Sequence, residues 1–392
     1  MKTTFIHSAD WQIGKPFASL SDPTKQVNLS NLRLQAILKI GEIASEEGVD
    51  FVVVAGDLWD SVTPTKALVS ETLQAIGKIP VPVYVIPGNH DHAAPGTVWH
   101  QAYYRQEQQA LAPNLQLLLE AKPIELDQAI LLPCPLLRNK ENTDLSQWLR
   151  DASIYTGLGD KPRIVLAHGS VADFGAEKFE DEEEFGSSAA NLLDLSRLPL
   201  DDNLDYLALG DWHGTKKIND KSWYSGTPEP DRFPKGERHD QGNILLVTAE
   251  RGIIPTVQRL NTSSASWQVQ SFHFTSDTAF PEFESAMNVW VGNRVNQDLL
   301  KLELTGSLGL EAMDRLQKSL ETYQSRLIRI KLANRVLLEP REEELDQLRI
   351  ASQDPLIARV ADKLNFIIQK GGVEETVARE ALKQLYFTSK AL

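Results

Sequence analysis

The segment DFVVVAGDLWD, residues 50–60, decides the fold of this chain. Its apolar, largely β-branched run from Phe51 to Ala55 ends at Gly56, which is the pattern of a buried strand followed by a sharp turn. The carboxylate of Asp57 comes directly after that turn. An uninterrupted apolar strand is typical of a parallel sheet covered by helices, so the segment predicts an α/β fold with Asp57 at a strand end.

Four other polar motifs each follow an apolar run in the same way. They are Asp10-Trp11-Gln12 after TFIHSA, Gly88-Asn89-His90-Asp91 after VPVYVIP, His168-Gly169 after PRIVLA, and Asp211-Trp212-His213 after DYLALG. Metal-binding side-chain types at five strand ends are expected to converge on one rim of a sheet sandwich. That arrangement predicts a two-metal hydrolytic site built from distant parts of the chain.

Seven residues are candidate metal ligands, with Asp57 bridging two ions. The other ligands predicted for one ion are Asp10, Gln12 and His213, and those for the second ion are Asn89, His168 and Asp211. His90 is the candidate that protonates the leaving group of a phosphodiester, and Asp60 is the candidate that orients His90.

Each of these residues also has an ordinary structural explanation. An aspartate at a strand end commonly caps a turn or a helix, and an asparagine such as Asn89 tolerates a left-handed turn. A single histidine such as His168 is more often a buried, hydrogen-bonded side chain than a ligand. The five motifs together, each after a predicted strand, favour the metal site.

Composition limits the class of protein. A chain of 392 residues with a single cysteine, Cys134, suits two or three domains in a reducing compartment and excludes an intramolecular disulfide. It contains neither a signal-like N-terminus nor an apolar run of about 18 residues, so we expect a cytoplasmic protein without a membrane span. The net charge of −14 argues weakly against nucleic-acid binding by the chain alone.

The pattern of apolar residues divides the chain into three parts. Residues 1–262 begin with a βαβαβ rhythm, whose first helix is predicted over residues 27–48, and they end in GNILLVT and IIPTVQRL, predicted as antiparallel strands of a second sheet. Residues 263–335 read as a small strand–helix–strand module. Residues 336–392 are predicted to be helical.

The five motifs resemble those of the calcineurin-like metallophosphoesterases, namely D-x-H, GD, GNH[DE], H and G-H-x-H. The segments HSADWQIGKPF, VVAGDLWD, VIPGNHD, LAHGS and LALGDWHG, followed by WYSGTPEPDRF, most resemble the SbcD/YhaO-type DNA repair exonucleases, bacterial relatives of the meiotic recombination nuclease. The resemblance is close over roughly residues 1 to 260. It implies a four-layer αββα sandwich with a small α+β capping domain and C-terminal helices.

The same resemblance implies a function and partners. The activity would be manganese-dependent cleavage of DNA at ends and in single strands. The partner would be an SMC-like coiled-coil ATPase of the SbcC type, and the nuclease would act as a homodimer within that complex.

Two residues depart from the family pattern. Gln12 replaces the histidine of D-x-H, and Asp211 replaces the first histidine of G-H-x-H. The site loses two nitrogens and gains a negative charge, which predicts a preference for oxygen-binding ions such as Mn²⁺ or Mg²⁺. The alternative is a weakened metal position and a partly degenerate enzyme.

Charged and apolar surface residues leave two questions open. The candidate phosphate contacts are Lys15, Lys216, Lys217, Arg232, Lys235 and Arg238, and the alternative is ordinary surface charge. An acidic run over residues 177–185 would repel a duplex if it faced the cleft. The apolar face of the C-terminal helices, formed by Leu356, Val360, Leu364 and Ile367, fits either ATPase docking or packing within its own domain.

Three functions are compatible with these observations. The first is a DNA exo- and endonuclease, and the second is a phosphatase or small-molecule phosphodiesterase on the same fold. The third is a DNA-end scaffold subunit whose metal site has decayed at Gln12 and Asp211.

Overall fold

The computed structural model describes residues 1–171, 191–200, 202–234, 240–351 and 355–390. The predicted acidic run at 177–185 and the candidate phosphate contacts Lys235 and Arg238 lie outside these ranges. The chain divides into two compact units, Met1–Ser266 and Trp267–Leu392. None of the described helices is long and apolar enough to span a membrane.

The first unit alternates strands and helices. Its helices are α1 Pro23–Glu46, α2 Lys66–Ile76 and α3 Ala102–Leu111. Its strands are β1 Lys2–Ser8, β2 Phe51–Ala55, β3 Val83–Ile86, β4 Leu115–Leu117, β5 Ile124–Glu125, β6 Ile130–Cys134, β7 Arg163–His168, β8 Ser170–Val171, β9 Leu192–Leu193, β10 Tyr206–Gly210, β11 Lys216–Lys217, β12 Ser222–Tyr224, β13 Asn243–Glu250 and β14 Thr256–Asn261.

Two six-stranded mixed sheets form this unit. The first has the order β14-β13-β1-β2-β3-β4, and the second has the order β11-β12-β10-β7-β6-β5. Strands β1 to β4 are parallel, and β6, β7, β10 and β12 are also parallel. The prediction that GNILLVT and IIPTVQRL complete the second sheet is wrong. Strand β13 instead extends the first sheet antiparallel to β1, and β14 pairs antiparallel with β13 at the edge of that sheet. Apolar residues cover β13 on both faces.

Apolar layers separate the sheets from each other and from the helices. One core packs α1, α2 and α3 against the first sheet. A second core lies between the sheets, where Phe5 stacks on Phe51 and meets the edge of Tyr206. A third covers the outer face of the second sheet with loops and short 3-10 helices, including Gln147–Arg150 and Ala152–Tyr155. The described residues thus form the layered sandwich that the resemblance implies, except that loops and 3-10 helices take the place of α-helices in its fourth layer.

Helix α1 begins four residues before its predicted start. Pro23 occupies the first turn, where its missing N–H costs nothing, and the side chain of Asp22 accepts a hydrogen bond from Thr24 N. The apolar residues that recur at helical spacing along its sequence are all buried, namely Leu29, Leu32, Ile37, Ile40, Ile43 and Ala44. Hydrophobic spacing therefore identifies the buried face of this helix, and its capping residues fix the first turn.

The second unit contains a small parallel sheet and helices. Its strands are β15 Trp267–Phe274, β16 Leu299–Leu308, β17 Arg329–Asn334 and β18 Leu337–Leu338, and its helices are α4 Phe280–Val291, α5 Leu310–Arg326, α6 Glu342–Ala351, α7 Pro355–Lys370 and α8 Glu375–Lys390. The β16–α5–β17 segment is the predicted strand–helix–strand module.

Helices α6, α7 and α8 share a core with the strand–helix–strand module. Leu310 of the module and Leu338 of strand β18 pack with Leu345, Ile368 and further apolar residues of these helices. The helices therefore pack on their own unit, which was one of the two alternatives from the sequence. The further division of this unit at residue 335 stays a prediction.

Candidate metal centre

Parallel strands of both sheets deliver the candidate ligands to one place. In the first sheet, Asp10, Asp57 and Asn89 follow β1, β2 and β3 at the same edge. In the second sheet, His168 is the last residue of β7 and Asp211 follows its neighbour β10. The sheets meet there, because Asp211 N lies 3.1 Å from Asp10 Oδ1 and donates a hydrogen bond to it.

The loops after β1 and β2 are joined through their backbones. Gln12 N donates to Asp57 O at 2.8 Å, and Ile13 N donates to Leu58 O at 2.9 Å. Four candidate ligands have positive φ angles, which non-glycine residues rarely adopt; they are Asp10 at 54°, Gln12 at 41°, Asp57 at 55° and Asp211 at 99°. Such strain is typical of functional sites, where surrounding contacts hold the backbone in place.

The spacing of donor atoms around His168 fits a divalent ion. Ligand atoms of Asp10, Asp57 and His168 all lie within 4.8 Å of one another. His168 Nε2 is 2.8 Å from Asn89 Oδ1, 3.6 Å from Asp57 Oδ2 and 3.9 Å from Asp211 Oδ1. Ligands about 2.1 Å from one octahedral ion lie roughly 3 to 4.2 Å apart, so these atoms need only small shifts to share an ion.

Neighbouring groups orient His168 as a ligand. Its Nδ1 lies 2.9 Å from Ala55 O, so Nδ1–H donates to this carbonyl and Nε2 is turned to the centre, where a bound cation would displace its proton. Glycine provides the room, because a Cβ at Gly56 would overlap the imidazole of His168, and one at Gly88 would overlap Asp57 Oδ1.

The electrostatics of this cluster favour a bound cation. Burial raises the pKa of Asp10 well above its usual range, and the charges of Asp57 and Asp211 add to this effect. Burial alone lowers the pKa of His168, but the carboxylates of Asp57, Asp10 and Asp211 outweigh it and raise that pKa to about 9. Three buried or half-buried carboxylates thus face one another, and a divalent cation would neutralise them.

Of the three residues predicted for the other ion, Asp10 lies in the cluster around His168, and Gln12 and His213 are arranged differently. Gln12 Nε2 lies 3.2 Å from His213 Nε2, while Gln12 Oε1 accepts a hydrogen bond from Lys15 Nζ at 3.1 Å. Lys15 Nζ also lies 3.1 Å from Asp231 Oδ2, and this oxygen is 2.9 Å from His213 Nδ1. At this position an amide N–H, and not an amide oxygen, faces His213. The atoms here therefore fit a metal ion less well than the ligand atoms around His168 do.

His90 and Asp60 lie beside the cluster. His90 N donates to Asp57 Oδ1 at 2.9 Å, which fixes the loop but leaves the ring outside the donor set. His90 Nδ1 lies 3.3 Å from the backbone oxygen of Asp60 and 3.8 Å from its Oδ1. Asp60 does not cap helix α2; Thr65 does.

Sequence reasoning missed three residues that hold the site together. Asp91 Oδ1 accepts from Gly88 N at 2.7 Å and its Oδ2 accepts from Trp59 N at 3.1 Å; burial and the charge of Asp57 raise its pKa to about 7. Ser170 Oγ donates to Asp211 Oδ2 at 2.8 Å. Asp91 is part of the GNHD motif, but its position in the sequence does not show whether it binds a metal ion or holds the neighbouring loops in place.

Arg33 is the third missed residue. It is buried on helix α1 and donates to Trp11 O at 2.8 Å, to Asp10 O at 3.2 Å and to Thr227 Oγ1 at 3.1 Å. A signal was present in the sequence, because Arg33 occupies a helical position between Leu29 and Ile37 on the apolar face.

The four candidate phosphate contacts that lie within the described residues have partners in the chain. Lys15 pairs with Asp231, and Arg232 Nε lies 3.0 Å from Asp231 Oδ1. Lys216 Nζ lies 5.2 Å from the ring centre of Trp212, and Lys217 pairs with the exposed Asp220. Lys15 and Arg232 compensate Asp231, whose pKa lies well below its usual range because these cations and His213 outweigh the effect of burial.

Comparison with known proteins identifies the first unit. Residues 3–240 match the model of the calcineurin-like phosphoesterase family. The SbcD subunit of the nuclease SbcCD from Escherichia coli K12 is 24% identical over 283 residues, which cover 65% of this chain and 67% of that protein. The protein of the same name from Escherichia coli O157:H7 gives the same values. The crystal structure of TT1561 of Thermus thermophilus aligns with 67% of this chain and 100% of its own, at 12% identity and a TM-score of 0.38.

Proposed function

The chain belongs to the calcineurin-like phosphoesterase family, and on this premise we propose that it is a divalent-ion-dependent DNA nuclease acting on ends and single strands. The observation that supports this most directly is the convergence of Asp10, Asp57 and His168 on one buried cluster, with Asn89 and Asp211 beside them. The weak similarity to a nuclease subunit supports a nucleic acid as the substrate.

The cluster has the parts that phosphodiester hydrolysis requires. A divalent ion bound there would neutralise phosphate oxygens and make a bound water more acidic. The residues proposed to hold it are Asp10, Asp57, Asn89, His168 and Asp211. The hydrogen bond from His168 Nδ1–H to Ala55 O turns Nε2 towards this ion, and Ser170 holds the Asp211 carboxylate in place.

His90 is the proposed general acid. Its Nδ1–H donates to the backbone oxygen of Asp60, so its Nε2 is the atom left to hold the proton that the leaving oxygen takes. The Asp60 carboxylate lies 3.8 Å from Nδ1 and faces the positive charge that a protonated ring carries. Asp60 is therefore proposed as the residue that positions His90.

Mn²⁺ is the proposed ion, with Mg²⁺ as the alternative. Four of the five proposed ligands offer oxygen, and only His168 offers nitrogen. Such an oxygen-rich donor set favours Mn²⁺ and Mg²⁺ over Zn²⁺. The sequence predicts two ions, and the arrangement around His168 supports one of them.

We also propose that an SMC-like coiled-coil ATPase of the SbcC type binds this chain, which would act as a homodimer within the complex. The similar protein from Escherichia coli is one subunit of a nuclease, which supports the presence of a partner. The charge of the chain supports it too, because at a net −14, with Lys15 and Arg232 paired to Asp231, DNA binding would gain from a cationic partner.

Cleavage of end-labelled single- and double-stranded DNA by the purified chain with Mn²⁺ tests this function. We expect degradation of both ends and single strands, which stops in chelator and in His90→Ala. Hydrolysis of bis-p-nitrophenyl phosphate without DNA cleavage, even with the ATPase present, would instead indicate a small-molecule phosphodiesterase. If neither substrate is cut, the chain is a scaffold with a decayed site and the proposal fails.

A further inference from the structure

Lys15 determines how the amide of Gln12 is oriented. An ammonium group only donates hydrogen bonds, so the amide atom 3.1 Å from Lys15 Nζ must be the oxygen of Gln12. The amide nitrogen then faces His213, at 3.2 Å from its Nε2. The reverse orientation would place two donors against each other at Lys15.

His213 presents a hydrogen-bond acceptor to the amide of Gln12. Its Nδ1–H donates to the buried Asp231 Oδ2 at 2.9 Å, which leaves Nε2 as a hydrogen-bond acceptor. The Gln12 amide N–H supplies a donor to this lone pair, the same lone pair that a metal ion would need. Lys15 Nζ closes the network at 3.1 Å from Asp231 Oδ2, and its side chain is only 13% exposed.

We propose that the Lys15–Gln12–His213–Asp231 network takes the place of one metal ion, so that each chain binds a single divalent ion, at the cluster around His168. The two positions differ in which atoms are available to bind a metal ion. At the first, carboxylate oxygens, the Asn89 amide oxygen and His168 Nε2 face one another, and a bound ion would displace the proton of that nitrogen. At the second, the amide oxygen is engaged by an ammonium and the imidazole by an amide.

The inference rests on the proposed metal-dependent site, but not on DNA being its substrate. Lys15 adds a fixed positive charge beside Gln12, which raises the energy of a second cation there. The chain would thus be a phosphoesterase in which a lysine and a glutamine jointly replace an ion. Neither residue alone explains the network, because the orientation of the amide depends on the lysine.

Counting bound Mn²⁺ tests this inference without DNA. The full chain is stripped with chelator and titrated with Mn²⁺, and stoichiometry is read by calorimetry and by metal analysis after gel filtration. We expect one equivalent of Mn²⁺ bound per chain, and an electron paramagnetic resonance spectrum typical of isolated Mn²⁺ ions. Two equivalents, or a spectrum of exchange-coupled Mn²⁺ pairs, in the wild-type chain would overturn the proposal whether or not any variant folds.

A double variant tests the cause. Gln12→His with Lys15→Gln restores an imidazole and removes the ammonium, and we expect a second equivalent bound at least tenfold more tightly than in the wild type. Lys39→Gln, at an exposed lysine of helix α1 that pairs with Glu42, should leave the count at one. A folded double variant that still binds one ion would show that the network does not exclude the second. DNA cleavage is scored separately, so loss of the nuclease function and loss of this inference give different results.

Discussion

His90 lies next to the candidate ligands but keeps its ring apart from them. Its backbone N–H donates to the Asp57 carboxylate, while its side chain is held by the backbone of Asp60. A residue in this position can be altered without removing a ligand. It therefore separates the roles of proton transfer and metal binding.

His90→Ala should reduce DNA cleavage by about 10²- to 10⁴-fold, the usual contribution of a general acid. The rate of bis-p-nitrophenyl phosphate hydrolysis should fall much less, because the leaving group of this substrate is stable as an anion and needs no proton. Initial rates on both substrates and the Mn²⁺ affinity give the comparison, with the exposed His100→Ala as the matched control. An equal loss on both substrates would argue for a structural role of His90.

Asp57→Asn tests the central ligand. The variant keeps an oxygen that accepts from His90 N but removes one of the facing carboxylates. In chelator we expect it to be at least as stable as the wild type. Added Mn²⁺ at about 100 times Kd should stabilise the wild type by about 2.7 kcal/mol and raise its Tm by roughly 5 to 10 °C.

The Asp57→Asn variant should show almost none of this rise in a thermal shift series. Asp220→Asn, an exposed aspartate paired with Lys217, serves as the control and should respond as the wild type does. A full Mn²⁺ response in Asp57→Asn would mean that Asp57 is not a ligand.

At the level of elements, the loops after the strands are packed so closely that glycine is required. The loop after β3 crosses the loop after β2, and a Cβ at Gly88 would overlap both Asp57 Oδ1 and Asp57 N. The ligand and the neighbouring loop are therefore positioned together.

Gly88→Ala should weaken Mn²⁺ binding by displacing Asp57, with a stability cost of about 1 to 3 kcal/mol for the overpacking. Gly41→Ala on helix α1 is the control. Its Cβ would meet Ile79 at an ordinary 3.5 Å, and alanine favours a helix. Titration calorimetry and chemical denaturation of both variants measure the effects. Unchanged Mn²⁺ affinity in Gly88→Ala would show that the loop can move without disturbing Asp57.

Strand β1 carries a buried histidine that does not belong to the metal centre. His7 Nδ1 lies 2.9 Å from Tyr206 OH and its Nε2 is 3.2 Å from Leu209 O, so it links the two sheets. Burial lowers the pKa of His7 from 6.5 to about 3, although the bond to Leu209 opposes this. Between these values the unfolded chain binds a proton that the folded chain does not.

The contribution of His7 to stability is thus complete above pH 6.5 and is lost as the pH falls from 6.5 towards 3. His7→Gln should remove up to about 1.4 kcal/mol per pH unit from the slope of unfolding free energy against pH in this window. Comparing slopes eliminates the constant packing cost of the substitution. His273→Gln, at an exposed histidine of β15, should keep the wild-type slope, and an unchanged slope in His7→Gln would contradict the assignment.

At the scale of the whole molecule, the two units have separate cores and separate proposed tasks. The first unit contains the complete metal cluster. In the second, the helices α6 to α8 bury one side in their own core, yet Phe366 and Val360 remain 65% and 38% exposed. Exposed apolar residues on helices are suited to binding another helix.

Val360→Asp with Phe366→Asp should abolish binding to a coiled-coil ATPase of the SbcC type while leaving Mn²⁺-dependent cleavage of bis-p-nitrophenyl phosphate unchanged. Val289→Asp, at a 78% exposed valine of α4, is the control. Co-purification on gel filtration measures the complex. Binding that survives the double substitution would place the docking surface elsewhere.

The strands that precede the five motifs, helix α1 and the polar residues after each of those strands follow from the sequence alone, because burial on both faces leaves a continuous apolar run and turns require particular residues. The sequence pattern placed β13 and β14 in the wrong sheet, since strand pairing depends on distant neighbours that local pattern does not encode. Hydrophobic spacing likewise identified the buried face of α1, but it did not show that Arg33 on this face donates hydrogen bonds to the loop after β1.

Only the tertiary structure decided which polar residues are candidate ligands and which are their supports. Gln12 and Lys15 are three residues apart, and Asp231 is more than two hundred residues away, so their network exists only after the two sheets meet. Whether an amide presents its oxygen or its nitrogen depends on the partner that folding brings to it. A motif specifies the type of side chain, while the electrostatic partner specifies what that side chain does.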